Sequence, residues 1–147
     1  MAKFSAASLE KLSTCDPQLQ RLAMRAIQIV DCTILDGRRS KTAQDAAFER
    51  GSSKARWPES KHNCPIIDPT KPRAEWLEDP YGKSRAMDIA AYPVDWKKRD
   101  RFVLFAGFML GLAAEMGVKI RVGVDWNQNF DTSDESFFDG PHVELID

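Results

Sequence analysis

The chain has 147 residues, with 21 Lys and Arg against 22 Asp and Glu, so its formal net charge is −1. This balance excludes a strongly basic nucleic-acid binder, because counterion release from nucleic acid needs a surplus of cationic side chains. The longest apolar run, Phe102 to Ala114, is shorter than the roughly 20 residues of a membrane-spanning helix, so we expect no membrane insertion. Length and composition predict one globular domain over 1–147, and nothing in them requires more than a monomer.

Helical patterns come first in the chain and strands mostly later, an order that predicts an α+β fold. Asp16-Pro17 is typical of a helix N-cap followed by proline in the first turn, and apolar residues recur behind it at helical spacing. The predicted elements are helices over 5–13, 17–31, 42–50 and 97–116, and strands over 33–35, 86–91, 118–124 and 142–146.

A long loop is predicted between the third helix and the second strand, over 52–83. It carries five of the eight prolines and shows no helical or strand periodicity. Loops of this length in compact domains are usually functional or disordered.

The three cysteines, Cys15, Cys32 and Cys64, show no CxxC spacing and are odd in number. A disulfide framework is therefore not expected, and we interpret the three as small buried apolar residues.

Two histidines and an aspartate are the candidate metal ligands: His62, Asp88 and His142. Two imidazoles and a carboxylate form a common catalytic zinc set, which leaves a fourth position for water. Asp139, three residues before the second histidine, is placed to act as a general base from outside the ligand set. The residues alone leave two alternatives open, namely histidines with structural roles and an ordinary Asp-Gly-Pro turn.

Three segments that contain these residues resemble the signatures of a zinc peptidase family: Ser60-Lys61-His62-Asn63, Ser84-Arg85-Ala86-Met87-Asp88-Ile89-Ala90 and Asp139-Gly140-Pro141-His142-Val143-Glu144-Leu145. The family includes VanY-type D-Ala-D-Ala carboxypeptidases and phage L-alanyl-D-glutamate endopeptidases, and the phage endolysin branch is the most similar. The resemblance covers nearly the whole chain. It implies a Hedgehog-like α+β domain in which N-terminal helices accompany a small antiparallel sheet that carries the zinc site.

The resemblance also implies roles for single residues. One zinc ion per chain would be bound by three ligands, His62, Asp88 and His142. Asp139 would take a proton from the zinc-bound water and pass it to the leaving amine. Arg39 matches an arginine that holds the substrate or the developing oxyanion, and Gln44 and Ser60 are assigned to substrate binding with it. A surface salt bridge is the alternative for Arg39.

The implied function is zinc-dependent hydrolysis of the L-alanyl-D-glutamate bond in peptidoglycan stem peptides, by a phage endolysin. Two alternatives are a D-Ala-D-Ala carboxypeptidase on the same scaffold and a non-catalytic, zinc-bearing wall-binding module.

The N-terminal residues lack the apolar segment of a secretory signal peptide. We therefore expect synthesis in the host cytoplasm, with action in the periplasm or cell wall after a holin-type membrane lesion.

One departure from many relatives is the spacing of the first two ligands. Asp88 follows His62 by 26 positions, where only a few separate them in many relatives. The extra segment, Cys64 to Lys83, could line the cleft and alter specificity, or it could be a plain surface excursion. Cys64 is also an alternative thiolate ligand, although Asp88 fills the family position.

The acidic stretch over 125–135 resembles a calcium loop in the spacing of its oxygen-bearing side chains. Phe130 occupies the position where an EF-hand needs glycine, and Ser136 occupies that of the terminal glutamate. A solvated acidic loop is the favoured interpretation, and calcium regulation is kept as a second hypothesis.

Overall fold

The computed structural model describes residues 1–64 and 70–147, which form five helices and four strands. In chain order these are α1 (Ala6–Ser13), α2 (Pro17–Ile27), β1 (Cys32–Asp36), α3 (Lys41–Glu49), α4 (Arg73–Glu78), β2 (Ala86–Ala91), α5 (Arg99–Met116), β3 (Ile120–Val122) and β4 (His142–Leu145). The α+β class expected from the sequence is confirmed. None of the described helices combines the length and the apolar character needed to cross a membrane.

The four strands form one sheet in the order β1-β2-β4-β3, and every neighbouring pair is antiparallel. The two central strands, β2 and β4, are buried along nearly their whole length. Their register sets Asp88 directly opposite His142. On the other side of β2 the register shifts between Ile34 and Asp36, which places Asp36 beside Asp88 as well.

The core lies between this sheet and the helices α2 and α5, which pack against each other and against the strands. Leu19 and Leu22 of α2 and Met109 of α5 have no exposed surface. Burying each such side chain contributes about 1.5–3 kcal/mol. The packing of α2 and α5 therefore holds the sheet in place, and the strands that carry the candidate site residues are rigid.

Local capping explains where the first helices begin. Ser5, Asp16 and Ser40 each accept a hydrogen bond from a backbone N–H of the following turn, at 3.1, 2.8 and 3.1 Å. Such caps satisfy donors that have no partner within the helix. Residue Gly117, with φ 71°, ends α5 in the left-handed conformation that glycine adopts without strain.

Three predicted elements differ from the observed ones. The helix predicted over 17–31 ends at Ile27, after which a tight turn returns the N–H of Val30 to the carbonyl of Ala26. The strand predicted over 118–124 is limited to β3, because the chain turns at Val122, whose carbonyl accepts the N–H of Asp125. The loop predicted over 52–83 contains α4, which is too short to show a helical period in the sequence.

All three cysteines are buried, as expected. Burial raises the pKa of the Cys15 and Cys64 thiols, and it raises the pKa of Cys32 to about 12. The three thiols are protonated at neutral pH and behave as small apolar residues.

Candidate active site

The antiparallel pairing of β2 and β4 brings two of the predicted ligands side by side. Oδ1 of Asp88 lies 3.5 Å from Nδ1 of His142. His62, from the loop that follows α3, completes the group: its Nε2 lies 3.1 Å from the same aspartate oxygen and 3.2 Å from Nδ1 of His142. All three residues are buried. The structure thus unites the three residues predicted as metal ligands.

Backbone contacts hold His62 in place although it lies on a loop. Its carbonyl accepts the N–H of Arg39 at 2.7 Å, and the preceding carbonyl of Lys61 accepts the N–H of Arg85 at 3.0 Å. The ring atom Nδ1 lies 2.8 Å from the carbonyl oxygen of Gly37, which can only accept. Nδ1 therefore carries the proton, and the lone pair of Nε2 faces the group.

Glu144 orients His142 in the same way. Nε2 of His142 lies 2.9 Å from Oε1 of Glu144, so it donates and leaves the lone pair of Nδ1 facing the group. The other carboxylate oxygen contacts Lys61 at 3.1 Å and Arg121 at 2.9 Å. Burial alone would raise the pKa of Glu144, but the hydrogen bond from His142 and the charge of Lys61 outweigh it and lower the pKa to about 2.

These tautomers make the group a fitting site for a cation. Two imidazole lone pairs and a carboxylate oxygen lie within 4.8 Å of one another, and they repel unless a proton or a metal ion stands between them. Burial disfavours charge on both Asp88 and His142. The imidazoles nevertheless hold the pKa of Asp88 below its usual range, and contacts with Asp88 and Glu144 raise the pKa of His142 to about 9.

The donor set of two nitrogens and one oxygen matches catalytic zinc sites. Among the residues that the structure describes, no other group of three or more His, Cys, Asp or Glu side chains is close enough to share an ion. Cys64 does not belong to this group.

Asp139 lies beside the group without joining it. Its Oδ2 is 3.7 Å from Nδ1 of His142, and its side chain is 20% exposed. The residue also closes the Asp-Gly-Pro turn, because its carbonyl accepts the N–H of His142 at 3.2 Å. Its role as a general base stays a prediction. Burial and the neighbouring charge of Asp88 raise the pKa of Asp139 to about 6.

Arg39 is the centre of a buried network. Its guanidinium contacts Oδ2 of Asp36 at 2.5 Å, Oδ2 of Asp88 at 3.2 Å and Oε1 of Gln44 at 3.3 Å. The side chain is only 9% exposed, so the alternative of a surface salt bridge does not describe it. Arg39 holds the second oxygen of a predicted metal ligand and also lines the cavities beside it.

The two residues assigned to substrate binding beside Arg39 occupy different environments. Gln44 is fully buried, and its amide nitrogen donates to Oγ of Ser53 at 2.9 Å and to the carbonyl of Ala55 at 2.7 Å. This position gives no support to a direct substrate contact. Ser60 lines a cavity, and its hydroxyl accepts the N–H of His62 at 3.2 Å.

Two cavities of about 490 and 560 Å³ meet at Arg39, Phe137 and Asp139. His62 and His142 line the first cavity only, whereas Asp88 lines the second. Together they form a cleft with Asp139 at its middle. A substrate chain that occupied both cavities would therefore contact the predicted base.

The predicted insertion lines neither cavity in its described part, Cys64 and 70–83. Instead it is docked on the domain by Arg38, which donates to the carbonyls of Leu77, Asp79 and Gly82 at 2.9, 2.6 and 3.0 Å. Trp76 of α4 is buried. Residues 65–69 lie outside the described part, so the role of the insertion in specificity stays a prediction.

The acidic loop pairs its own oxygens internally. The two carboxylate oxygens of Asp125 accept the N–H groups of Asn129 and Phe130 at 3.1 and 2.9 Å. Asp134 accepts from the amides of Asn127 and Asn129 at 3.1 and 2.7 Å. These contacts agree with the interpretation as an acidic loop, and calcium regulation stays an untested hypothesis.

Sequence reasoning assigned no role to Glu144 and Gly37, the hydrogen-bond partners of the two histidines. Glu144 follows His142 by two positions in a predicted strand, and strand alternation puts such residues on one face, which is a usable signal. No comparable signal for Gly37 exists in the sequence. The reason for glycine there appears only in the structure, where a Cβ would lie 2.3 Å from Oγ1 of Thr14.

Comparisons with known proteins agree on one family. Residues 1–146 match the model of the phage L-alanyl-D-glutamate peptidase family. The L-alanyl-D-glutamate peptidase of Escherichia phage T5 is 30% identical over 152 residues, which cover 98% of each chain. The crystal structure of an L-Ala D-Glu endopeptidase from Serratia marcescens superposes with a TM-score of 0.62 at 23% identity, over 99% of this chain and 91% of that one. This last similarity concerns the fold.

Proposed function

The chain belongs to the phage L-alanyl-D-glutamate peptidase family and is therefore an endopeptidase of that bond in peptidoglycan, and we propose that it acts as a zinc-dependent phage endolysin. The convergence of Nε2 of His62, Nδ1 of His142 and the carboxylate of Asp88 carries this proposal. Both histidines are fixed by their outer nitrogens, so the three donor atoms are presented before any metal binds.

We assign zinc binding to His62, Asp88 and His142. When bound at such a site, zinc lowers the pKa of a coordinated water to about 7 and polarises the scissile carbonyl. The side chains of the chain itself then have two tasks, which are to move a proton and to hold the substrate carbonyl in place.

Asp139 is proposed as the proton acceptor. It lies outside the donor set, 3.7 Å from His142, and lines both cavities. As a water oxygen bonds to the carbonyl carbon, the carboxylate takes the water proton. It then returns this proton to the amine nitrogen as the C–N bond breaks. Such proton transfer contributes about 10²–10⁴-fold to the rate.

Arg39 is proposed to stabilise the negative charge that develops on the carbonyl oxygen. Its guanidinium is fixed by Asp36 and Asp88, and the residue lines both cavities together with Asp139. Donors held in place before the reaction need no reorganisation as charge develops. Gln44 accepts a hydrogen bond from Arg39, and we assign it as a positioning residue for the arginine.

Product analysis tests the proposal directly. The zinc-loaded enzyme should release fragments with new N-terminal D-glutamate from purified peptidoglycan, as read by mass spectrometry. A chelator should abolish the release, and so should Asp139→Ala with its zinc content unchanged. Free D-alanine as product would favour the carboxypeptidase alternative. Absence of cleavage by a zinc-loaded sample would favour the non-catalytic wall-binding module.

A further inference from the structure

Four cationic side chains line the cavity that contains the two histidines, and three of them have carboxylate partners. Arg39 is bound to two aspartates, and Lys61 and Arg121 both contact Glu144, at 3.1 and 2.9 Å. The fourth is Lys54. In the described part of the chain it has no carboxylate within 4.0 Å of its ammonium group. Its charge is therefore available to a ligand in this cavity.

Aromatic contacts locate the Lys54 ammonium on the wall of the cleft. Nζ lies 5.3 Å from the centroid of the Phe137 ring. That ring stacks on Trp126 at 6.2 Å, and Trp126 packs against His142 at 5.1 Å. Phe137 also precedes Asp139 by two residues in the chain. A cation over an aromatic face is held in place without losing its charge, so Lys54 offers a positive group near the predicted base.

The substrate of the proposed function supplies a matching anion. A D-glutamate residue on the C-terminal side of the cleaved bond has two carboxyl groups, and only one of them can continue the peptide. The other is a free carboxylate close to the scissile amide. Resting on the proposed function, we propose that Lys54 binds this free carboxylate and makes the enzyme prefer D-glutamate to its carboxamide form at that position.

Arg50 is the competing cation, because it also has no carboxylate partner among the described residues. It lines the second cavity, where its Nε donates to Oγ of Ser52 at 3.0 Å. Three carboxylates line that cavity against two cations, whereas the first cavity has four of each, so the second is less favourable for an anion. The cavity of Lys54 is therefore the better site for a carboxylate.

Steady-state kinetics on the zinc-loaded full chain test this assignment. Two synthetic peptides with an L-alanyl-D-glutamyl bond are compared, differing only in whether the free carboxyl group is a carboxylate or a carboxamide. Lys54→Met, which keeps most of the side-chain length, should raise KM for the carboxylate peptide about fivefold. Its kcat should stay within about twofold, and its KM for the carboxamide peptide should not change.

The control variants are Lys54→Arg, Arg50→Met and Lys3→Met, the last being an exposed lysine that lines neither cavity. Lys54→Arg should restore the preference, and the other two should retain it. The assignment would be overturned if Lys54→Met raised KM equally for both peptides. It would also be overturned if Arg50→Met, and not Lys54→Met, raised KM for the carboxylate peptide alone. Cleavage of neither peptide by the unmodified enzyme would instead reject the proposed function.

Discussion

His142 and Glu144 lie on the same face of β4, and Nε2 of the histidine donates a hydrogen bond to Oε1 of the glutamate at 2.9 Å. Because the imidazole has one donor and one acceptor nitrogen when neutral, this contact decides which nitrogen can bind a metal. Lys61 and Arg121 in turn hold the glutamate. Lys61 and Arg121 thus act through Glu144 to keep the lone pair of Nδ1 directed at the candidate metal site.

Glu144→Gln tests this relationship. The substitution keeps the shape of the side chain but removes the charge that the imidazole N–H contacts. We expect zinc affinity to fall by about 10–100-fold, the usual effect of losing such a partner, as measured by competition with a chelating dye. Glu135→Gln is the matched control, since Glu135 lines the same cavity but contacts only the backbone of Asn127 among its described partners. Unchanged affinity in Glu144→Gln would contradict the role.

Arg39→Lys should separate catalysis from metal binding. A lysine ammonium cannot span Asp36, Asp88 and Gln44 with a fixed planar group, so the developing charge on the carbonyl oxygen loses its donor. We expect kcat to fall by about 10²-fold, with KM changed little and zinc still bound. Arg21→Lys, at an exposed position of α2, provides the control. A selective rise in KM would instead identify Arg39 as a ground-state binding residue.

Two of the three proposed ligands, Asp88 and His142, could be placed from the sequence because they lie in regular elements. Asp88 and His142 lie in strands recognisable from their apolar neighbours, and antiparallel pairing then made them adjacent. The position of His62 was harder to predict, because it depends on backbone contacts made across the fold with Arg39 and Arg85. Its donor type made it a candidate ligand beside the other two, and the resemblance to the peptidase family supported that grouping.

Local sequence patterns could not predict the roles of residues that act by orienting a neighbouring side chain. Gln44 was assigned to the substrate, yet the structure buries it behind Arg39, a consequence of how α3 packs on the following loop. α4 was missed because six residues give no periodic signal and its stability comes from tertiary docking. Local sequence thus predicted the elements of the site better than the contacts that support it.

Zinc removal should destabilise the protein. The three proposed ligands come from a loop, from β2 and from β4, so the ion would bind only when these are assembled. A ligand present at 100 times its dissociation constant stabilises the folded state by about 2.7 kcal/mol. In a chain of this size each kcal/mol shifts Tm by about 2–4 °C, so Tm should rise by about 5–11 °C. Calorimetry of the His142→Ala variant should show no such rise, and a zinc-dependent shift in that variant would point to another site.

Two glycine substitutions should have opposite effects. In Gly123→Ala the new Cβ would lie 2.3 Å from the carbonyl oxygen of Asp139 and 2.8 Å from Cβ of His142. We expect a loss of about 1–3 kcal/mol in the free energy of unfolding, together with weaker zinc binding. Gly107→Ala is the matched change in α5, where nothing lies within 4 Å of the new Cβ. It should stabilise the helix by up to about 1 kcal/mol. Thermal unfolding of both variants checks the pair, and equal effects would contradict the packing around Gly123.

Arg38→Met should release the insertion while leaving the cleft intact. Arg38 is the residue whose guanidinium donates to three carbonyls of the insertion, those of Leu77, Asp79 and Gly82. Methionine fills part of the same space without any donor, so three carbonyls lose a charged partner. Hydrogen bonds to charged groups contribute about 1.5–3 kcal/mol each, and the partial exposure of this site reduces that contribution. We expect cleavage within residues 70–83 by a nonspecific protease to become at least about tenfold faster.

Peptide hydrolysis by Arg38→Met should change little, because the described residues of the insertion line neither cavity. Arg73→Met is the matched control: it removes a pair with Glu59 that is exposed at both ends, and it should barely change the rate of proteolysis. A large loss of activity in Arg38→Met, with zinc still bound, would show that the insertion contributes to the cleft after all. In that case its specificity role becomes the stronger interpretation, and exchange of residues 70–83 for a short linker should alter which peptides are cleaved.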